Sequence, residues 1–294
     1  MESKKFGRKF RLLVQENATE VEKDMVFMEI KDPFTINFSV NRDVNSSLNT
    51  MNVSIHNLAK TTRAKIFKDR YSDVYKRVIL QAGYDTLYTI FQGSMFSAFS
   101  TRSDSDIITE IECKDGGIDV KNAQFSETFS KGIDTGDIID KAIQQFKTIT
   151  KGTIGGNKTT KKRATSYADR VYDVLGREIT GVFVDNEKLH SLKDNEVIDY
   201  QILKFNSETG LLNVPQRQDT YIEVDVLFEP RVQVAQAVQI ESSVAPEFNG
   251  QYKVIGLKHA GVISATMDGR VTTSLSLLMP DQLSGGKFKT VKTK

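Results

Sequence analysis

Residues 76–92 read KRVILQAGYDTLYTIFQ, and this stretch decides the fold of the first third of the chain. Two runs rich in β-branched and aromatic residues, 76–81 and 87–92, flank the segment AGYDT. Glycine and aspartate suit a chain reversal, so the pattern predicts two antiparallel strands joined by a short turn. Gly93 comes directly after the second run, where a glycine indicates a bulge or a bend.

Alternating side chains on both sides of this hairpin predict further strands. The positions that share one face are Phe34, Ile36, Phe38 and Val40; Met51, Val53 and Ile55; and Ile107, Thr109, Ile111 and Cys113. A period of two places each set on one half-buried strand face, where Cys113 packs as a small hydrophobe. A short helix is predicted between strands, over residues 59–67.

The middle of the chain changes to helical spacing. The apolar positions of a first helix are Ile139, Ala142, Ile143, Phe146 and Ile149. Aspartates precede them, and Lys147 and Lys151 follow near the C-terminal end, as the helix dipole favours. Gly152 is the predicted stop of this helix.

A second helix is predicted after an intervening loop. Ser166 suits the N-cap, Asp169 lies three residues on, and Gly176 stands just past the apolar stripe. A strand over residues 179–184 and a turn at 185–186 follow. This middle segment is therefore predicted to be α+β.

The last third returns to strand alternation. One face carries Ile222, Val224 and Val226, and another carries Val271, Thr273, Leu275 and Leu277. The basic tail SGGKFKTVKTK begins with glycines, so we expect it to fray unless a partner holds it.

Composition limits the function classes. The 294 residues carry 40 Lys plus Arg against 38 Asp plus Glu, a net charge of +2, which gives no global field for nucleic acid or an anionic membrane. One cysteine excludes an intrachain disulfide and a cysteine-based zinc site within the chain. The N-terminus MESKKFGRKFRLL lacks the apolar run of a secretory signal, so we expect synthesis in the cytoplasm and no membrane insertion.

Several segments in a particular order resemble a known family. HNLAKTTRAKIF (56–67) and VILQAGYDTLYTIFQGSMFSAFSTRSDSDIITEIECKDGG (78–117) resemble the first barrel of baseplate hub proteins from contractile phages and related injection machines. TGLLNVPQRQDTYIEVDVLFEPRVQVAQAVQIESS (209–243) and FNGQYKVIGLKHAG (248–261) resemble the second barrel. The chain departs from the pattern at Ala235 and Gln236, where many hubs have glycine.

The resemblance implies a mainly β (α+β) fold, in which two tail-tube-like β-barrels are joined by a smaller α+β domain. The implied domains are 1–115, 116–205 with a basic loop at 151–163, and 206–294 with the basic tail. It also implies a homotrimeric ring of pseudo-sixfold symmetry that joins a hexameric tail tube to a trimeric central spike. The implied partners are the chain itself, the tube protein, the spike, and other baseplate and tape-measure proteins, with DNA as passing cargo. The implied location is the virion tail baseplate, and assembly takes place in the host cytoplasm.

The basic loop is the only candidate site that the sequence marks, and its residues are Lys151, Lys158, Lys161, Lys162 and Arg163. Its segment GTIGGNKT (152–159) nearly spells a phosphate-binding loop, but Asn157 replaces the final glycine and no strand precedes it. The pattern favours a solvated, mobile loop over residues 152–164. Contact with a neighbouring baseplate protein or with passing DNA is the other interpretation.

Signatures of enzymes and metal sites are weak. His56, His190 and His259 lie far apart without metal-binding spacing, and no G-x-S-x-G elbow occurs. We therefore expect no cofactor, no metal and no catalytic residues. The sequence leaves open a pair of carboxylates brought together by the fold, as in glycoside hydrolases.

Two alternatives to a hub stay open at this point. One is another tail ring component, such as a distal tail or tube-completion protein. The other is a cell-wall hydrolase, although the resemblance leaves no residues for the cell-wall-cleaving domain that some hubs carry.

Overall fold

The structure is a computed structural model that describes residues 6–16, 25–45, 48–72, 74–155, 159–264, 269–280 and 287–292. It is mainly β, as the sequence predicted. Within these residues no helix has the length and apolar character needed to cross a membrane.

Seven strands and one helix are found among the described residues of the first third of the chain. They are β1 (Lys9–Gln15), β2 (Phe27–Lys31), β3 (Ile36–Asp43), β4 (Thr50–His56), α1 (Lys60–Ile66), β5 (Arg77–Gly83), β6 (Leu87–Ser103) and β7 (Asp106–Lys114). Strands β3, β4 and β7 bury alternate side chains, so one face of each packs on the core and the other is in contact with water.

The predicted hairpin of residues 76–92 is confirmed. Strands β5 and β6 pair antiparallel from Arg77 opposite Ser94 to Gly83 opposite Leu87. The bulge or bend predicted at Gly93 is wrong, because Gly93 pairs with Val78 in regular register. The register shifts lie between residues 80 and 81 of β5 and between residues 95 and 97 of β6. A Cβ at Gly93 would lie 2.7 Å from the carbonyl oxygen of Lys114, so the glycine allows close strand approach instead.

The middle of the chain contains the remaining α-helices and several shorter strands. They are α2 (Gly117–Asn122), β8 (Gln124–Phe129), α3 (Thr135–Ile143), β9 (Thr150–Ile154), β10 (Thr165–Arg170), α4 (Val171–Glu178), β11 (Val182–Asp185) and β12 (Lys188–Ser191). The structure confirms both predicted helices but not their ends.

The first of these helices is shorter than predicted. It ends at Ile143, and Gly152 lies inside β9, which pairs parallel with β12. The buried carboxylate of Asp119 accepts hydrogen bonds from the backbone N–H groups of Thr148 and Ile149, which fixes the chain in extended form there. The prediction that Gly152 stops a helix is therefore wrong.

The second helix begins later than predicted. Ser166 and Asp169 lie in β10, which pairs antiparallel with β8, so Ser166 is not an N-cap. The helix starts after Arg170 and includes Gly176, which the sequence placed beyond its end. Backbone pairing with a distant strand overrides the local capping pattern.

The described residues of the last third contain seven strands and a 3-10 helix at Pro246–Phe248. The strands are β13 (Glu196–Phe205), β14 (Gln216–Arg217), β15 (Tyr221–Leu227), β16 (Gln236–Ile240), β17 (Gly250–Ile263), β18 (Val271–Leu278) and β19 (Lys289–Val291). Strands β15 and β18 alternate as predicted. The fraying predicted for the tail is wrong for residues 289–291, which pair parallel with the start of β13.

The strands of the first and last thirds form one 14-stranded sheet. Its main order is β14-β15-β18-β17-β3-β4-β7-β6-β5-β1-β2. Antiparallel pairing of β3 with β17 joins the two thirds into this sheet. The buried side chains of the described residues form three core clusters, each drawn mainly from one third of the chain. The first also contains Phe228, Ile263 and Val271, and the second contains Phe183 and Leu192. The domain boundaries at 115 and 205 stay a prediction.

Candidate interaction surface

The outward face of β3, β4, β7 and β6 is polar. Because side chains alternate along paired strands, Ser39, Asn52, Glu112 and Ser97 form one row across the four strands. The neighbouring row contains Asn37, Ser54, Glu110 and Phe99. Small hydroxyl and amide side chains dominate both rows, so this face is hydrated rather than built to bury apolar groups.

The same face continues into the last third of the chain. Asn41 on β3 pairs with Lys258 on β17, which in turn pairs with Ser274 on β18. Ser274 is opposite Asp225 on β15 and donates a hydrogen bond to its carboxylate. We call the outward side of β15, β18, β17, β3, β4, β7 and β6 the polar face.

The polar face carries both signs of charge. The carboxylates along it include those of Asp43, Glu110, Glu112, Glu223 and Asp225, and Lys258 lies among them on β17. Shallow clefts of about 400 and 470 Å³ follow the grooves between these side chains. Such an extended, shallow, hydrophilic surface suits contact with a large hydrated partner better than enclosure of a small substrate.

A buried ionic junction lies beneath the polar face. The guanidinium of Arg42 is fully buried and donates to both carboxylate oxygens of Asp185, at 2.7 Å from Nε and 2.5 Å from Nη2. Its Nη2 also donates to Gln233 Oε1 at 2.6 Å. Burial lowers the pKa of Arg42, but the charge and hydrogen bonds of Asp185, together with the charge of Asp115, outweigh it, so the net pKa is raised.

A second carboxylate, Asp115, lies in the same junction. It accepts hydrogen bonds from the backbone N–H groups of Asn186 at 2.6 Å and Glu187 at 2.8 Å. Burial and the charge of Asp185 raise its pKa well above the usual range. Asn49 donates to Asp185 and to the carbonyl of Val184, which completes the hydrogen bonding at this point.

Glu187 ties the same turn to the first sheet. The predicted turn at 185–186 lies one residue further on, at Asn186 and Glu187, which both adopt left-handed φ angles of 51° and 58°. The Glu187 carboxylate accepts from Arg77 at 2.6 Å and from the Tyr75 hydroxyl at 2.8 Å. Burial, with Glu187 nearby, raises the pKa of Tyr75, so this hydroxyl stays a donor. No sequence signal marked Glu187, because the residues it joins are distant along the chain.

Two of the three histidines are structural. Nδ1 of His190 accepts the backbone N–H of Thr153, and burial lowers the pKa of His190 to about 4. Nδ1 of His259 lies 2.9 Å from the Thr273 hydroxyl, and burial lowers the pKa of His259 to about 3. His56 is half-exposed beside Asp106. Across the described residues, no group of three or more His, Cys, Asp or Glu side chains could hold a metal ion.

Cys113 is fully buried on β7, as the alternation predicted. Burial raises the pKa of its thiol, which disfavours the reactive thiolate. The sequence left open a catalytic pair of carboxylates brought together by the fold. Among the described residues, the candidates for such a pair are Asp115 and Asp185. Both are buried and occupied by hydrogen bonds from the fold itself, so they serve the junction.

The structure separates the candidate residues of the basic loop. Lys151 lies on β9 and pairs with Asp140, and Lys161 pairs with Glu178. Lys162 and Arg163 are exposed, and Lys158 lies outside the described residues. The prediction of a mobile loop from 152 to 164 is wrong for 152–154, which form β9, and the backbone of Lys161 bonds to Ile133.

Comparison with known proteins points to one type of assembly. The family model described as baseplate hub gp41 matches residues 17–262. The sequence matches no curated protein significantly.

Solved structures support the same fold. A 43 kDa tail protein of prophage MuSo2 from Shewanella oneidensis aligns with a TM-score of 0.63 at 8% identity, over 92% of this chain and 97% of that one. A tail protein from Neisseria meningitidis gives 0.61 at 11% identity, over 93% and 96%. A component of the type VI secretion system of E. coli gives 0.56 at 8% identity, over 87% and 76%.

Proposed function

Because this chain belongs to the baseplate hub gp41 family, we propose that it forms the homotrimeric hub ring of a phage tail baseplate, around a channel for DNA. Its role as a structural component of the baseplate, in the virion tail, follows from the family alone. The ring, the channel and assembly in the host cytoplasm are the further steps of the proposal.

The observation that carries the ring is the continuity of the polar face across both halves of the chain. The β3–β17 ladder joins strands of the first and last thirds side by side, so each copy offers two sheet halves to the same surface. Three copies then supply six halves, which matches the sixfold symmetry of a tail tube with only three chains.

The size of the polar face fits a channel wall. Its seven strands, about 4.8 Å apart, span about 34 Å, so three copies enclose a circumference of about 100 Å and a diameter of about 32 Å. This opening admits a DNA duplex. Carboxylates and small hydroxyl groups on the wall repel or release phosphates, so DNA passes without adhering.

The proposal assigns partners to the outer surfaces. The type VI relative and the tail relatives support association with spike and tail components. We assign the tube protein and the spike to the two ends of the ring, and other baseplate and tape-measure proteins to its remaining contacts. The exposed Lys162 and Arg163 are available for one such neighbour. The buried ion pair of Arg42 and Asp185 holds the three cores in one orientation while these partners are bound.

Native mass spectrometry of the purified protein and of disassembled tails tests the proposal. Trimers are expected in both, or in tails alone if assembly requires the tube. Hexamers would instead support a distal tail or tube-completion ring and overturn the hub. Clearing of cell-wall suspensions by the purified protein would support the hydrolase and contradict a purely structural role.

A further inference from the structure

A basic pocket lies where the polar face ends against the middle third of the chain. It is a cavity of about 330 Å³ between the loop after α1, the strands β6 and β7, and α2. Its cationic lining residues are Lys68, Arg70, Lys114, Lys121 and Arg170. Among the described residues that line it, none is acidic. This local excess contrasts with a net charge of only +2 for the whole chain.

The cations differ in how firmly they are held. Lys68 is buried and donates to the carbonyl of Ser72 at 2.7 Å, so it shapes the wall. Arg70 is oriented by Glu112 at 3.1 Å, and Arg170 by Asp173 at 3.0 Å. Lys114 and Lys121 have neither of these ion pairs, and their ammonium groups supply the charge that a ligand would meet first.

One wall of the pocket is apolar. Phe96 occupies the register shift of β6, and the Lys114 ammonium lies 3.8 Å from its ring centroid. The Arg70 guanidinium lies 5.2 Å from the same centroid. Ile118 and Val120 of α2 are half-buried and face the cavity. The pocket thus combines an apolar wall with a cationic rim.

Exposed apolar side chains extend this surface outward. Tyr71 is 90% exposed, Phe67 58% and Val74 42%, and all three belong to the segment that contributes Lys68, Arg70 and Ser72 to the pocket. An exposed apolar group next to a charged cavity is typical of a protein-binding surface.

We propose that this pocket binds an acidic peptide segment of a partner protein, in which a carboxylate is adjacent to an apolar side chain. The carboxylate contacts Lys114 and Lys121, and the apolar side chain packs on Ile118 and Val120. A nucleic acid fits less well, because two cations already lie over the Phe96 ring and hinder stacking of a base. The site goes beyond the proposed ring and does not depend on it.

Fluorescence anisotropy with the full chain tests this site. The probe is a labelled octapeptide of alternating glutamate and phenylalanine, and the matched control peptide has glutamine in place of glutamate. At low salt we expect saturable binding of the acidic peptide and at least tenfold weaker binding of the control. The variant Lys114→Ala/Lys121→Ala should weaken binding about tenfold, whereas Lys141→Ala/Lys204→Ala, which removes two lysines outside both the pocket and the polar face, should not.

Four results would overturn the proposal. Absence of saturable peptide binding is the first, and equal binding by the two double variants is the second. In the third, a labelled oligothymidylate of eight nucleotides binds the pocket more tightly than the peptide and loses affinity in Lys114→Ala/Lys121→Ala, which would identify a nucleic-acid site. If the pocket variant instead loses self-association in sedimentation, the occupant is a second copy of this chain and the partner assignment fails.

Discussion

The guanidinium of Arg42 on β3 and the carboxylate of Asp185 on β11 form a two-point ion pair across 143 residues of sequence. Arg42 belongs to the sheet of the first third, Asp185 to the hairpin of the middle third, and Gln233, which also accepts from Arg42, to the last third. One buried side chain therefore contacts all three parts of the molecule. Its removal tests how far their mutual orientation depends on electrostatics.

Arg42→Met should destabilise the protein by about 3–5 kcal/mol, because it leaves Asp185 buried without its cation. The double variant Arg42→Met/Asp185→Leu should recover much of this loss, since no uncompensated charge remains. Urea unfolding measures both. Arg102→Met, at the exposed β6–β7 hairpin, should change stability by less than about 0.5 kcal/mol. Equal effects of Arg42→Met and Arg102→Met would contradict the junction.

The two faces of β18 should respond differently to a charge. Leu275 is buried, so Leu275→Asp places an unpaired carboxylate in the core, which costs several kcal/mol out of a total of about 5–15 kcal/mol. Soluble expression should be lost. Thr272→Asp on the polar face should leave the fold intact, and it is a cleaner control than Ser274→Asp, because Ser274 donates to Asp225. Equal tolerance of both changes would show that β18 does not have one buried face.

The strands could be predicted because their information is local. A period of two in β3, β7, β15 and β18 already states which face is buried, and the structure bears this out. The hairpin of residues 76–92 is local in the same sense. The resemblance to hub proteins depended on these same segments.

Helix ends in the middle third could not be predicted, because distant groups decide them. Asp119 holds the backbone at Thr148 and Ile149, and β8 captures the segment around Ser166. Ala235 gives a related lesson, since its φ of 60° lies in the left-handed region where glycine is favoured. Many of the hubs that the sequence resembles have glycine at this point of the motif. The position requires a left-handed backbone, and in this chain alanine adopts it.

The candidate surface was also beyond the sequence. Nothing local indicates that β3 pairs with β17, and that ladder alone makes the polar face continuous. The cations of the basic loop do not act together in the structure. Lys151 lies in β9 and pairs with Asp140, Lys161 pairs with Glu178, and the other described ones are exposed. Sequence runs of lysine do not reveal which lysines share a pocket, whereas Lys68, Lys114 and Lys121 meet through the fold.

Acid should destabilise the protein through His259. Its folded-state pKa is about 3, below the usual value of 6.5, so the folded protein keeps it neutral while the unfolded chain takes up a proton below about pH 6.5. Stability should therefore fall between pH 6.5 and 3, by about 1.4 kcal/mol per pH unit. His190 acts in the same direction, whereas Asp115, with a raised pKa, acts in the opposite direction.

Comparison with His259→Gln isolates this contribution, because glutamine does not titrate and its oxygen can still accept from Thr273. Urea midpoints at pH 7 and pH 5 should show that the unchanged protein loses about 2 kcal/mol more than the variant. The same pH dependence in both proteins would mean that folding does not lower the pKa of His259.

Cations placed on the polar face should slow DNA passage if this face lines the channel. Asn52 and Ser54 lie on neighbouring rows of β4 and point outward, so Asn52→Lys/Ser54→Lys should leave the fold and the trimer unchanged. A trimer would then present six added ammonium groups to the phosphates, and six or more such contacts make binding depend steeply on salt, by about 10³-fold or more between 50 and 200 mM. We therefore expect particles that assemble normally but release DNA several-fold more slowly, with the rate restored at high salt. The matched variant Asn52→Asp/Ser54→Asp changes the same positions without attracting phosphates and should release DNA at the normal rate. Time-resolved measurement of DNA release from triggered particles distinguishes the two, and equal rates for both variants at low salt would place the polar face away from the path of the DNA.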